Sequence, residues 1–249
     1  FLKRFIKKLQ IRLHIKLQSL NLVVHQLIKG FHTAALRILQ CSDILQNIIG
    51  YKFVHFESAD NRGIDTALLY DPKQFSPVSS KPLRKEFKDG KLTRDVLYVS
   101  GATSLGDTLH VFVCHTPSRL GGKNKTEHYR VGVMSMVREH CDSIFSLNPN
   151  AKIIIMGDFN DSPVDKSISL ALGAKPLTEP YETTSLYNMF HQFVGNAYLG
   201  THKYQSQWSV LDQIIVSGSF FTSGILKPSS AYIFRAPFLL EEDKKNMNV

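Results

Sequence analysis

A chain of 249 residues with 43% apolar side chains and a mean hydropathy of -0.11 can bury one sizeable core without disulfide or metal staples. No uncharged apolar run reaches the roughly 18 residues a membrane-spanning helix needs, and three cysteines (Cys41, Cys114, Cys141) are an odd number that favours free thiols over a disulfide framework. The net charge of +9 suggests nucleic acid until its position is considered. Residues 1–42 hold eight basic side chains and no acid, whereas the remainder sets 22 basic groups against 21 acidic ones.

The charge distribution divides the chain into a basic segment, 1–42, and a nearly neutral domain, 43–249. Within the first, Phe5, Ile6, Leu9, Ile11, Leu13, Ile15, Leu17 and Leu20 mix helical spacing with strict alternation, so periodicity leaves helix and strand both open. An acid-free amphipathic stretch fits a targeting peptide, a membrane-surface helix or an arm on phosphate backbones; a solvated face or a shifted reading frame fits it as well. Free thiols make the cytoplasm the default compartment. Secretion stays open, because a signal sequence could precede residue 1.

Beyond residue 43 the punctuation is that of an α/β domain. Tyr51–Phe56 alternates as a strand, and Thr66–Tyr70 is a short apolar run closed by Asp71 and Pro72. Leu109–Cys114 is a second such run, closed by His115, Thr116 and Pro117. Asn124 with Glu127 three residues on predicts a capping box opening a helix to about Leu147, with Met134, Val137, Cys141, Ile144 and Phe145 on its apolar face. Lys152–Met156 reads as a buried strand and Leu211–Val216 as another, with Asp212 near its start. Trp208 and Tyr204 stand close enough to that strand to line a substrate mouth, although such residues are more often core or rim packing.

The most informative stretch joins the strand Ile153–Met156 to Gly157-Asp158-Phe159-Asn160-Asp161-Ser162-Pro163. Residues two apart in an extended chain share a side, so Asp158 and Asn160 project together while Phe159 packs the other way. A carboxylate beside a neutral amide suits phosphoryl chemistry: the acid orients water or takes its proton, and the amide binds a phosphate oxygen without repelling it. Gly157 permits the turn.

Three further segments agree with this one in order. Phe112-Val113-Cys114-His115-Thr116-Pro117-Ser118-Arg119 ends a strand on a histidine, Leu211-Asp212-Gln213-Ile214-Ile215-Val216-Ser217 is an acid-bearing strand, and Asp60-Asn61-Arg62-Gly63-Ile64-Asp65-Thr66-Ala67-Leu68-Leu69-Tyr70 leads an acid into a strand. With Gly157-Asp158-Phe159-Asn160, these resemble the motifs of the endonuclease/exonuclease/phosphatase superfamily, in its bacterial type.

The resemblance implies a deoxyribonuclease I-like α/β fold: a two-sheet sandwich with helices on the outer faces and an active site at one end of the sheets. It implies Mg²⁺ or Mn²⁺ as cofactor, a phosphate-ester substrate that includes nucleic acid as one option, and a monomer. By the same carry-over His115 donates to the scissile phosphate, Asp65 orients its ring, Asn160 holds a phosphate oxygen, Asp158 positions the attacking water and lends a metal ligand, and Asp212 supports a second histidine. Arg119 is expected to meet a phosphate as a bidentate donor or to form a surface ion pair.

The family's early asparagine and glutamate and its C-terminal Ser-Asp-His motif have no counterpart here. The resemblance therefore implies a chain incomplete at both ends, lacking some terminal strands and weakly active or inactive. A degenerate relative that binds phosphorylated ligands or nucleic acid without turnover is the second reading.

Overall fold

The computed structural model describes residues 12–17, 20–25, 50–60 and 63–233. Its strands, in chain order, are β1 (Arg12–Leu17), β2 (Leu20–His25), β3 (Lys52–His55), β4 (Ala67–Tyr70), β5 (Phe75–Leu83), β6 (Val96–Thr103) and β7 (Thr108–His115). After the long helix α1 (Lys123–Leu147) come β8 (Lys152–Asp158), a π-helical turn (Ser167–Ala171), β9 (Ala174–Pro176) and β10 (Leu186–Asn188). The chain continues through β11 (His202–Tyr204), β12 (Gln207–Ser209), β13 (Asp212–Ser217), one helical turn (Ser219–Thr222) and β14 (Pro228–Ile233).

Seven strands make the main sheet in the order β5-β6-β7-β8-β13-β10-β9. Only β7 with β8 and β10 with β9 run parallel. The second layer is built from β14-β1-β2 and the β3–β4 hairpin, with β4 lying alongside β2. Together they form the expected α/β sandwich.

The central strands are apolar on both faces because both faces are covered. Alternate residues Ile154 and Met156 of β8, with Val111 and Val113 of β7, face a core shared with Leu68 of β4 and Ala231 of β14. Their neighbours Ile153, Ile155, Phe112 and Cys114 face the helix layer, against Met134, Val137, Cys141 and Phe145 of α1. Four of the five residues assigned to the apolar face of α1 are fully buried, and Ile144 packs at its margin.

Three local expectations change. Helix α1 starts at Lys123 after Gly122, which has φ 116 and no side-chain cap, so Asn124 lies inside the first turn and no capping box forms. Within the first segment, residues 12–17 and 20–25 are strands, so there alternation prevails over helical spacing. β1 pairs with β2 from Arg12↔His25 to Leu17↔Leu20 and with β14 from Leu13↔Ile233 to Leu17↔Pro228. The β-sheet edge β5 was not anticipated, since Pro77 and Pro82 demote a strand; an edge tolerates both because one side of it needs no ladder bonds.

Candidate active site

The motif residues meet at one end of the main sheet. In the parallel β7–β8 pair His115 stands opposite Asp158, and in the antiparallel β8–β13 pair Asp212 stands opposite Asp158. Directly paired residues share a face, so three neighbouring strands deliver an imidazole and two carboxyls in a single row. His115 Nε2 lies 3.7 Å from Asp158 Oδ2. Asp212 is 2% exposed, and its Oδ1 accepts no hydrogen bond.

Gly157 makes this row possible for a reason the sequence reading missed. It lies within β8, paired with Cys114 and Gln213, at φ 133, and a Cβ there would fall inside the Cys114 carbonyl. The glycine serves close approach of β7 as well as backbone conformation.

Beyond Asp158 the chain turns. Asn160 takes φ 48, its amide N–H donates to Asp158 Oδ1 at 2.8 Å, and its Nδ2 donates to the Thr116 carbonyl at 3.0 Å. Asp158 and Asn160 thus come together through a left-handed turn rather than through extended alternation. Phe159 is fully buried on the helix side, as alternation implied. Thr116 completes the clamp, its N–H donating to Asp158 O at 3.0 Å and its hydroxyl donating to Phe159 O.

Arg119 is drawn into this loop. Its Nε donates to Asn160 O at 2.6 Å and its Nη2 reaches Asp165 Oδ2 at 3.0 Å and Asp161 Oδ1 at 3.4 Å. Asp65 sits on the second layer, where its Oδ1 accepts the Ser58 N–H at 2.8 Å and its Oδ2 lies 3.5 Å from His55 Nε2. Arg62, a possible partner of Asp65, lies outside the described residues. Trp208 and Tyr204 occupy the β11–β12 hairpin. That hairpin is tied to the row through Thr201 Oγ1, which accepts the Leu211 and Asp212 N–H groups, both at 2.9 Å.

Two arginines that the sequence reading passed over hold the site in place. Arg94 is buried. Its Nε and Nη2 donate to the carbonyls of His115 and Thr116, both at 2.8 Å, and its Nη1 pairs with Asp60 at 2.9 Å. Arg130, fully buried on α1, lies 2.7 Å from Asp161 Oδ2, which also accepts the Ser167 hydroxyl at 2.7 Å. A signal for Arg130 existed, since it continues the Met134, Val137, Cys141 stripe one turn toward the N-terminus. None existed for Arg94, whose acceptors at His115 and Thr116 are backbone carbonyls.

Burial pushes the Asp158 carboxyl up to about 6, against the opposing pull of the Asn160 N–H and the charges of Arg94 and Arg119. Burial raises Asp212 well above the usual carboxylate range, and the Asp158 charge beside it raises it further. Two adjacent carboxyls, Asp212 buried with an unused oxygen and Asp158 half-buried, form a donor set of the hard-oxygen kind that suits Mg²⁺ or Mn²⁺.

Residues 9–248 match the sequence model of the Endonuclease/Exonuclease/phosphatase family, and the chain belongs to that family of phosphoesterases. A search of curated proteins found no match. Among solved structures, the catalytic domain of human Nocturnin with bound sulfate is similar at 17% identity and a TM-score of 0.51, covering 77% of this chain and 67% of that one. D. rerio TDP2 complexed with single-strand DNA product gives 17% identity and 0.51, covering 80% and 72%. ANGEL2, a 2',3'-cyclic phosphatase, with adenosine-2',3'-vanadate gives 12% identity and 0.53, covering 77% and 68%. These likenesses establish the fold. No helix among the described residues is long and apolar enough to cross a membrane.

Proposed function

We propose that this chain hydrolyses phosphate esters of nucleotides or single-stranded nucleic acid, with Mg²⁺ or Mn²⁺ held by Asp158 and Asp212. The observation that carries the reading is the single row His115–Asp158–Asp212 across three adjacent strands. The substrate class is supported by the DNA product, adenosine vanadate and sulfate bound to the similar structures. When bound, the cation supplies charge neutralisation at the phosphate and lowers the pKa of water.

The residues divide the remaining work. Asp158 positions the attacking water and accepts its proton. As the new P–O bond forms, the bond to the leaving oxygen breaks and charge grows on the non-bridging oxygens. His115 donates a hydrogen bond to one of those oxygens, and Asn160 offers the amide hydrogen that Thr116 O does not use. Arg119 is a positioning residue in this reading, because its donors are engaged by the carbonyl of Asn160 and by Asp161 and Asp165.

The test is hydrolysis of bis-p-nitrophenyl phosphate and of a 5'-phosphorylated DNA oligonucleotide by the purified chain with Mn²⁺ or Mg²⁺. Turnover should vanish with EDTA, return with added metal, and be lost in Asp158→Ala and Asn160→Ala. Oligonucleotide binding without turnover under every metal condition would transfer the chain to the binding-only reading.

A further inference from the structure

Outside the catalytic row, the hairpin of the second layer brings together a second set of metal-ligating groups. His55 at the end of β3, Glu57 just beyond it and Asp65 just before β4 each offer one donor atom, and the three atoms lie within 4.8 Å of one another. Two observations besides the acids point to a ligand. His55 Nε2 is buried and makes no hydrogen bond, although Asp65 Oδ2 lies 3.5 Å away. Asp65 is aimed as well, since the Ser58 N–H holds its Oδ1 and leaves Oδ2 turned toward the imidazole.

We infer that His55, Glu57 and Asp65 form a site for a transition-metal dication, with Zn²⁺ preferred over Mn²⁺ and Mg²⁺ excluded. One imidazole with two carboxylates is a borderline donor set, whereas Mg²⁺ wants oxygen alone. Ligand atoms about 2.1 Å from a tetrahedral zinc ion stand roughly 3.4 Å apart, so the present spacing closes with side-chain motion of about 1 Å. Glu57 is exposed and supplies the entry side; water completes the coordination.

The site has a mechanical consequence. Its ligands flank the loop that carries Asp60, whose carboxylate holds Arg94, and Arg94 grips the carbonyls of His115 and Thr116. An ion held by Glu57 and Asp65 ties together the two flanks of that segment. Metal at the hairpin therefore braces the catalytic row without touching it.

The test is Zn²⁺ titration of the purified chain in competition with a chromophoric chelator, repeated in an Asp158→Asn/Asp212→Asn background that disables the other carboxyl pair. One equivalent of Zn²⁺ should bind at the hairpin in both, raise the melting temperature, and be held about tenfold or more weakly in His55→Ala and in Glu57→Gln. Glu57→Gln alters an exposed side chain, so it reads the site even where His55→Ala disturbs the hairpin, and circular dichroism separates the two cases. Zn²⁺ binding unchanged in Glu57→Gln, or lost in the Asp158→Asn/Asp212→Asn background, would overturn the inference.

Discussion

Asp158 and Asp212 are register partners on adjacent antiparallel strands, so their carboxyls are held together by the sheet itself rather than by flexible loops. Two cations that temper Asp158 electrostatically, Arg94 and Arg119, belong to other tasks. Without a counter-ion this pair is a liability, and its energetics can be measured.

Both carboxyls titrate above their ordinary range when folded, so each holds its proton more tightly in the folded than in the unfolded chain. Their protonated form stabilises the fold at low pH, and that contribution disappears as pH rises from the unfolded value of 3.8 through about 6. Metal-free stability is expected to drop by on the order of 2–3 kcal/mol from Asp158 alone across this window. Asp158→Asn should flatten the profile. Urea denaturation at pH 4.5 and pH 7 in EDTA measures both, and equal wild-type stability at the two would contradict the assignment.

Millimolar Mg²⁺ or Mn²⁺ should reverse that loss. Added cation is expected to raise the melting temperature more at pH 7.5 than at pH 5, where protons occupy the pair, and Asp212→Asn should abolish the gain. Differential scanning fluorimetry at the two pH values distinguishes these outcomes.

His115→Ala is expected to lower kcat for phosphate-ester hydrolysis by about 10²–10³, the usual cost of losing one donor to developing charge. Arg94→Lys keeps the charge but cannot span two carbonyls and Asp60 at once. It should lower kcat while leaving KM nearly unchanged, because it displaces His115 without touching substrate. Steady-state kinetics of the two variants check this, and an Arg94→Lys enzyme with wild-type kcat would remove Arg94 from the positioning role.

Arg130→Met should destabilise the chain by about 3–5 kcal/mol, since it strands the Asp161 carboxylate in the protein interior. Arg130→Met/Asp161→Leu should recover much of the loss. A double-mutant cycle by chemical denaturation gives the coupling, and strictly additive effects would mean that the pair contributes nothing specific.

Cys114 and Cys141 are both fully buried, and burial raises both thiols, that of Cys141 to about 12. At pH 8 neither should react with a thiol reagent until the chain unfolds. Peptide mass spectrometry after alkylation of native and denatured protein reads this directly.

The site was largely legible where chemistry and secondary structure coincide in a few consecutive residues. The Ile153–Met156 run announces a strand buried on both faces, and the polar residues after it can only emerge at the sheet's end; the same logic placed His115 and Asp212. What escaped the sequence depends on distant partners. Arg94 meets carbonyls more than twenty residues away, and the turn at Asn160 is held by Thr116, just past the end of another strand. The Asn124–Glu127 pattern failed because two preceding glycines, both at positive φ, let the helix begin two residues early. Mixed periodicity left the first strands undecided, since pairing with β14 supplies the missing information.

That pairing also sets the order in which the chain can be assembled. Leu13 finds one partner, Ile233, at a sequence separation of 220 residues, whereas its other partner, Val24 of β2, lies only 11 residues away. During synthesis the main sheet can begin to form as β5 to β8 emerge, but the second layer is completed only when residues 228–233 have left the ribosome. In that interval β1, paired with β2 on one side, keeps its other edge open. Among the described residues, the last strand closes the first.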